Sequence, residues 1–432
     1  MRKLSITDNG FERAFRTIVN DRRETDGDVA GRVASILSDM RRDGDATLAK
    51  LTRQFDDHAL DSDADWTVTK DDCRAAFDGL TPELRDALTL AATRIRAYHA
   101  DQLPGGRDYT DEAGVRLGAR WNAVEAAGLY VPGGRAAYPS SLLMNAIPAK
   151  VAGVERLVVV TPTPRGVVNP LVMAAAHIAG VDEVWRVGGA QAVGALAYGT
   201  RRIAPVDVIV GPGNAYVAEA KRQLFGVVGI DMVAGPSEIL VIADRDNDPD
   251  WIAADLLSQA EHDPNAQSIL ITDDADFAMQ VEDRVDVQSA MLPTAKAAQA
   301  SWKAHGVIIV VSDLAQAVPL ANQLAAEHVE LAVADPTPLF DGIRHAGSIF
   351  IGRYAPEAIG DYMAGPNHVL PTGRRARFSS GLSVLDFMKR SSFIELDEKA
   401  LRAIGPAAIA IAEAEGLPAH ARSIAIRLEK DA

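Results

Sequence analysis

What most constrains this chain is an alternation that runs from about residue 156 to residue 351. Short apolar runs at 156–160, 183–187, 207–210, 238–242, 268–272, 306–311, 330–334 and 348–351 are separated by segments long enough to be helices. Most of the runs are rich in Val and Ile and are bounded by Gly, Pro or Asp. A strand that is apolar on both faces must be covered on both faces, and helices between successive strands do this in a parallel sheet. Eight such strands fill one large doubly wound unit or two smaller ones. The fold class is therefore α/β, and Pro236-Ser237, just before a fresh strand, marks a boundary or a crossover.

The flanks read differently. Residues 1 to about 120 are expected to be mostly helical. The segment 28–55 places Val29, Val33, Ile36, Leu37 and Met40 at helical spacing, and 81–103 does the same after a Thr81-Pro82 start. From about Phe378 the strand pattern fades, and a tail containing AAIAIAEAEGLPAHARSIAIRL reads as helix.

Composition narrows the function classes. At 432 residues the chain has room for about three domains, or two large ones with appendages. Its 48% hydrophobic content excludes disorder, collagen and coiled coil. No run of 18 apolar residues exists to span a membrane. Lys and Arg total 44 against 59 Asp and Glu, a net charge of −15 that repels nucleic-acid phosphates. The single cysteine, Cys73, cannot form an internal disulfide, and Asp71 and Asp72 beside it raise a thiol pKa, which argues against a nucleophile. With an N-terminus (MRKLSITDNGFERAF) unlike a secretion or transit signal, the expected location is the cytoplasm.

Several motifs carry potential chemistry. Three glycine-rich turns stand at strand ends: Val131-Pro132-Gly133-Gly134, Val187-Gly188-Gly189-Ala190-Gln191 and Gly211-Pro212-Gly213-Asn214. A strand, such a turn and a helix N-terminus together can receive a phosphate, although Tyr216 stands where a dinucleotide fingerprint has its third glycine. Glycine also serves turns for conformational reasons alone. Gln259 and His262 share one face at the end of a helix expected over 251–262. Glu327-His328 closes a helix that begins near Asp313. A carboxylate beside a histidine can tune a base, and a helix-end histidine can equally just complement the dipole. Asp361 and His368 lie in one polar loop, and Glu415 and His420 flank a helix-terminating Gly416. The spacing of these residues matches no compact zinc motif. Taken by themselves they indicate an α/β enzyme with a nucleotide crevice.

Read together, the segments GLYVPGG, YPSSLLMNAIPAKVAGV, VGGAQAVGALAYGT, VDVIVGPGNAYVAEAKR, GIDMVAGPSEILVIAD, DLLSQAEHDP, EHVEL, GDYMAGPNHVLPT and AEGLPAH resemble the histidinol dehydrogenase family nearly from end to end. The resemblance implies oxidation of L-histidinol through L-histidinaldehyde to L-histidine, the last two steps of histidine biosynthesis, with two NAD and one bound Zn2+ per subunit. It implies a homodimer of intertwined subunits. It also implies two incomplete Rossmann-like domains with doubly wound parallel sheets, plus small, mainly helical N- and C-terminal parts. The corresponding segments are a helical extension over 1–25, a first Rossmann-like domain from 26–129 with 238–380, a second, NAD-contacting one over 130–237, and a helical tail over 381–432 that reaches the partner's site. Carried over by position, Gln259, His262, Asp361 and His420 bind the metal, His420 reaching the site of the other subunit. Glu327 and His328 are the catalytic acid–base pair. Ser237, His368 and Glu415 contact substrate along with the metal ligands and His328, and Tyr130, Gln191 and Asn214 contact NAD. The departures are Arg135, Ala137 and Ala326.

These residue types suit the chemistry. A neutral His328 can take the hydroxyl proton as hydride leaves. The aldehyde must then be hydrated, and a deprotonated Glu327 can activate that water. The imidazole and amine of histidinol are good zinc ligands, which makes the metal mainly an orienting template. Three other readings stay open: a family member acting on another polar alcohol such as a sulfonated diol, a zinc hydrolase without a nucleotide, and a non-catalytic binding protein.

Overall fold

All six residues of the strand Glu238–Ala243 (EILVIA) are buried. Their alternation sorts them between two apolar layers, as the period of two requires. Leu240 and Ile242 join Ile269, Ile271, Val329 and Leu331 beneath the helices Phe11–Asn20 and Ala317–Leu324. Ile239 and Val241 face the opposite way, against Ile252, Leu256, Phe277 and Trp302 of the helices Pro249–Ala260, Ala275–Met291 and Ala295–His305. Each such side chain contributes roughly 1.5–3 kcal/mol on burial, which is why the strand must be central.

The computed structural model describes residues 1–21, 27–133, 138–233 and 235–429. It comprises two units: Met1–Gln102 with Glu125–Phe387, and Leu103–Val124 with Met388–Ala432. Among the described residues the first unit holds two six-stranded sheets. One runs Arg2–Ser5, Val307–Val310, Gln267–Thr272, Glu238–Ala243, His328–Ala332, Ser348–Ile351, all parallel. The other runs Thr67–Val68, Glu183–Trp185, Arg156–Val160, Ala126–Tyr130, Val208–Val210, Gly229–Ile230, parallel except for its first pair. The chain leaves the second sheet after Ile230 and enters the first at Glu238, across Pro236-Ser237. Both sheets reverse their strand order once, at Ala126–Tyr130 with Val208–Val210 and at Glu238–Ala243 with His328–Ala332.

The structure corrects several expectations. Residues 1–25 are not only helical: Arg2–Ser5 pairs with Val307–Val310, some 300 residues away, so a four-residue strand gains its stability from a partner that no local pattern shows. The segment 26–129 does not belong to the first sheet. Thr67–Val68 and Ala126–Tyr130 are strands of the second sheet. The helix Gly27–Asp43 packs on Gly189–Tyr198 and Ala215–Leu224, and Asp45–Asp56 on Gly189–Tyr198, because Val33, Leu37, Met40 and Leu48 complete that sheet's apolar layer. Those two helices are separate, broken at Gly44. The second unit is not a helical tail alone. Met388–Glu395 forms an antiparallel sheet with Arg116–Ala123 and Arg107–Thr110, followed by the helices Glu398–Ala414 and Pro418–Leu428. Its strands are largely exposed, so they lack the apolar runs that reveal buried ones. No helix among the described residues is long and apolar enough to cross a membrane.

Candidate active site

Glu327 and His328 do not end a helix. The helix Ala317–Leu324 stops at Ala325, whose φ of 44° breaks the spiral, and His328 opens the strand His328–Ala332. That strand pairs with Glu238–Ala243 in the register Ile239↔His328, which sets Glu238 beside the pair. The main-chain N–H of Glu238 donates to Glu327 Oε2 at 3.0 Å. Its carbonyl lies 3.2 Å from His328 Nδ1, and Gln259 Oε1 lies 3.0 Å from the same nitrogen. A carbonyl only accepts, so Nδ1 carries the hydrogen and Nε2 the basic lone pair. Burial lowers the His328 pKa, keeping the ring neutral, and raises that of Glu327 well above the usual carboxylate range, with Glu238, Asp361 and Glu357 nearby adding to the rise.

These two residues line a cleft of about 390 Å³ with Ser237, Gln259, His262, Asp361 and His368. Gln259 ends the helix Pro249–Ala260, and its amide lies 3.4 Å from His262 Nδ1, one turn-step beyond the helix end. His368 Nδ1 donates to the Asp361 carbonyl at 3.1 Å, which leaves Nε2 to accept from Ser141 Oγ at 3.2 Å. Burial pushes His368 down to about 4 and Asp361 up to about 8, the latter helped by Glu357.

The sequence reading missed Glu357. It opens the six-residue helix Glu357–Tyr362 that also carries Asp361, and it looks like an ordinary acid in a first turn. In the fold it is buried, its Oε2 accepts from Ser258 Oγ at 2.9 Å, and its Oε1 has no hydrogen-bond partner but lies 3.5 Å from His328 Nε2. Ligand atoms of His328, Glu357 and Asp361 all fall within 4.8 Å of one another. Among the described residues no Lys or Arg forms an ion pair with Glu327, Glu357 or Asp361. Buried carboxylates without a cation are costly. An orphaned Glu357 oxygen with ligand atoms of His328 and Asp361 within 4.8 Å therefore fits a divalent cation such as zinc, and Gln259 and His262 line the same cleft as Asp361.

The turns of the second sheet line a separate cavity of about 780 Å³ at the carboxyl ends of its strands, where doubly wound sheets place ligands. Tyr130, Gln191 and Asn214 all face it, and Pro132 is common to cavity and cleft. The Tyr130 hydroxyl accepts from Gly189 N–H at 3.0 Å. Gly189 has φ +70°, a left-handed conformation that favours glycine. Asn214 caps the helix Ala215–Leu224 through Oδ1. Glu415 and His420 belong to the second unit, where both are exposed at the junction of its two helices. Arg135 and Ala137 lie outside the described residues.

A family model described as histidinol dehydrogenase matches residues 19–428. The histidinol dehydrogenases of Zymomonas mobilis subsp. mobilis and Rhodospirillum rubrum are each 60% identical to this chain, over 99% of its length and 99% of theirs. The crystal structure of histidinol dehydrogenase from Elizabethkingia anophelis matches with a TM-score of 0.94 at 34% identity, covering 99% of this chain and 98% of that one. By the family model over residues 19–428 and by relatives 60% identical along their whole length, this chain belongs to the histidinol dehydrogenase family.

Proposed function

We infer that this chain, a dehydrogenase of histidine biosynthesis, oxidises L-histidinol through L-histidinaldehyde to L-histidine in the 390 Å³ cleft, with two NAD taken in turn by the 780 Å³ cavity. The observation that carries this is the fixed tautomer of His328, a cleft-lining residue whose Nε2 is left with a lone pair. His328 takes the alcohol proton as the carbinol carbon is oxidised, and Glu357 opposes the resulting imidazolium. Glu327, once ionised, takes a proton from the water that hydrates the aldehyde, and His328 again takes the hydroxyl proton of the gem-diol. Both side chains are almost fully buried, which keeps bulk water from the aldehyde. Bound NAD supplies the two-electron acceptor for each oxidation.

Gln259, His262 and Asp361 would hold zinc, with His420 supplied by the partner. Zinc would supply positive charge among the buried carboxylates and a template for the imidazole and amine of the substrate. Ser237, His368 and the partner's Glu415 would then contact the substrate. Exposure of Glu415 and His420 on the second unit supports a homodimer, and we place the enzyme in the cytoplasm.

The test is the NADH formed per L-histidinol consumed, with and without a zinc chelator. Two NADH, lost on chelation and restored by zinc, is the expected result. One NADH would remove the aldehyde step, and none from the zinc-loaded enzyme would point to a different alcohol.

A further inference from the structure

Lys221 and Asp231 form an ion pair whose side chains are only 2% and 1% exposed. Both line the cleft, yet neither has a part in the chemistry derived above. They converge instead on one residue. Lys221 Nζ donates to the Gly211 carbonyl at 3.0 Å, and Asp231 Oδ2 accepts the Gly211 N–H at 2.8 Å. Asp231 Oδ1 also accepts from Met232 N–H at 2.6 Å. Opposite charges thus grip the peptide groups on the two sides of Gly211.

Gly211 is the first residue of the turn 211–214. Its φ is +106°, and a Cβ there would stand 2.3 Å from the Tyr130 carbonyl, so this glycine is pressed against the end of the neighbouring strand. Gly211, Pro212 and Gly213 face the cleft, whereas Asn214 faces the cavity. The turn is therefore the wall between the two, and its height is set where the buried pair holds it. An apolar pair of the same size would bury there without the cost of desolvating two charges. The charges do something apolar side chains cannot: they satisfy and orient both polar groups of Gly211 in a conformation that leaves those groups no sheet partner.

We propose that Lys221 and Asp231 are positioning residues for the dehydrogenase reaction, holding the turn 211–214 in its ligand-ready conformation before NAD or substrate arrives. The proposal rests on the reading of the cavity as the NAD site. Ordering the turn in advance removes that ordering cost from NAD binding and fixes the distance between the two ligands.

The double variant K221M/D231L replaces the pair with apolar side chains of similar shape. It is expected to fold but to melt below wild type, because the N–H and carbonyl of Gly211 lose their partners, while its KM for NAD rises about tenfold or more at saturating L-histidinol, with a smaller fall in kcat. The single variants K221M and D231L, each leaving one buried charge, should be less stable than the double. A double variant that is stable and keeps the wild-type KM and kcat would overturn the proposal. Hydrogen exchange of the wild-type segment around Gly211 needs no variant: slow exchange without NAD is expected. Fast exchange in the free enzyme, becoming slow only on adding NAD, would overturn it too. A wild-type enzyme that forms no NADH would fail the NAD reading itself, while exchange in the free enzyme still decides whether the pair holds the turn.

Discussion

The main-chain N–H of Glu238 donates to Oε2 of Glu327 at 3.0 Å, so a strand of a six-stranded sheet directly aims a carboxyl that lines the cleft. The carbonyl of the same residue fixes the His328 tautomer. The Glu238 side chain is itself fully buried and lies 3.2 Å from Arg374, which also donates to Gln267 Oε1 at 2.5 Å and to the Ile18 carbonyl at 3.2 Å.

Arg374→Met removes the cation facing Glu238. Breaking a buried pair from one side costs about 3–5 kcal/mol. Urea unfolding should show a loss of that order, and the double variant R374M/E238Q should recover most of it. An R374M enzyme as stable as wild type would mean that the pair with Glu238 adds nothing net to stability.

His328→Asn removes the base, and general-base loss typically costs about 10²–10⁴ in rate. Single-turnover measurements should show that loss for L-histidinol and for L-histidinaldehyde alike. Glu327→Gln should depress mainly the aldehyde step. Equal loss of both steps in the Glu327 variant would reassign Glu327 to the first proton transfer.

His99 is buried, with Nδ1 2.7 Å from Gln102 Oε1, and burial lowers its pKa. The unfolded histidine binds a proton at about 6.5 and the folded one resists it. Its contribution is therefore intact above pH 6.5 and is lost as pH falls below that value, because the unfolded state then binds more protons. Urea midpoints at pH 7.5 and 5.5 should differ more for wild type than for His99→Gln. Equal differences would show that His99 is charged in the fold.

Cys73 is buried and its thiol is pushed up to about 11, first by burial and then by Asp72. Only the thiolate reacts, so a disulfide-forming reagent at pH 8 should label it very slowly in the folded enzyme and at once in urea. Rapid labelling without loss of activity would show that the segment opens.

Much of the site was legible because its residues lie in short ordered strings. Glu327-His328, Gln259 with His262, and Asp361 with His368 are near neighbours in sequence, and the fold brings all six into one cleft. Gln191 and Asn214 lie in or just after glycine-rich turns that the sequence shows, and Tyr130 ends the strand before another. Glu357, Glu238, Arg374, Lys221 and Asp231 were not legible. Each reads locally as an ordinary helix, strand or loop charge, and its role comes from partners that can be far along the chain, as between Arg374 and Ile18, 356 residues apart.

By itself the sequence located most of the buried strands between 156 and 351 and the helices that separate them, because burial on both faces imposes Val- and Ile-rich runs that are visible locally. Its ordered strings also pointed to the family. Only the tertiary structure decided which sheet each strand joins. Hydrophobic pattern says that a strand is buried but not beside what; reading 1–25 as helical and 26–129 as part of the first domain missed the strands Arg2–Ser5 and Ala126–Tyr130 and the sheets they join. The same pairing sets the cleft at the amino ends of Glu238–Ala243 and His328–Ala332, and the cavity at the carboxyl ends of Ala126–Tyr130 and Val208–Val210. Which strand edges meet at Pro132 is a matter of packing between two whole sheets, and no single segment carries that energy.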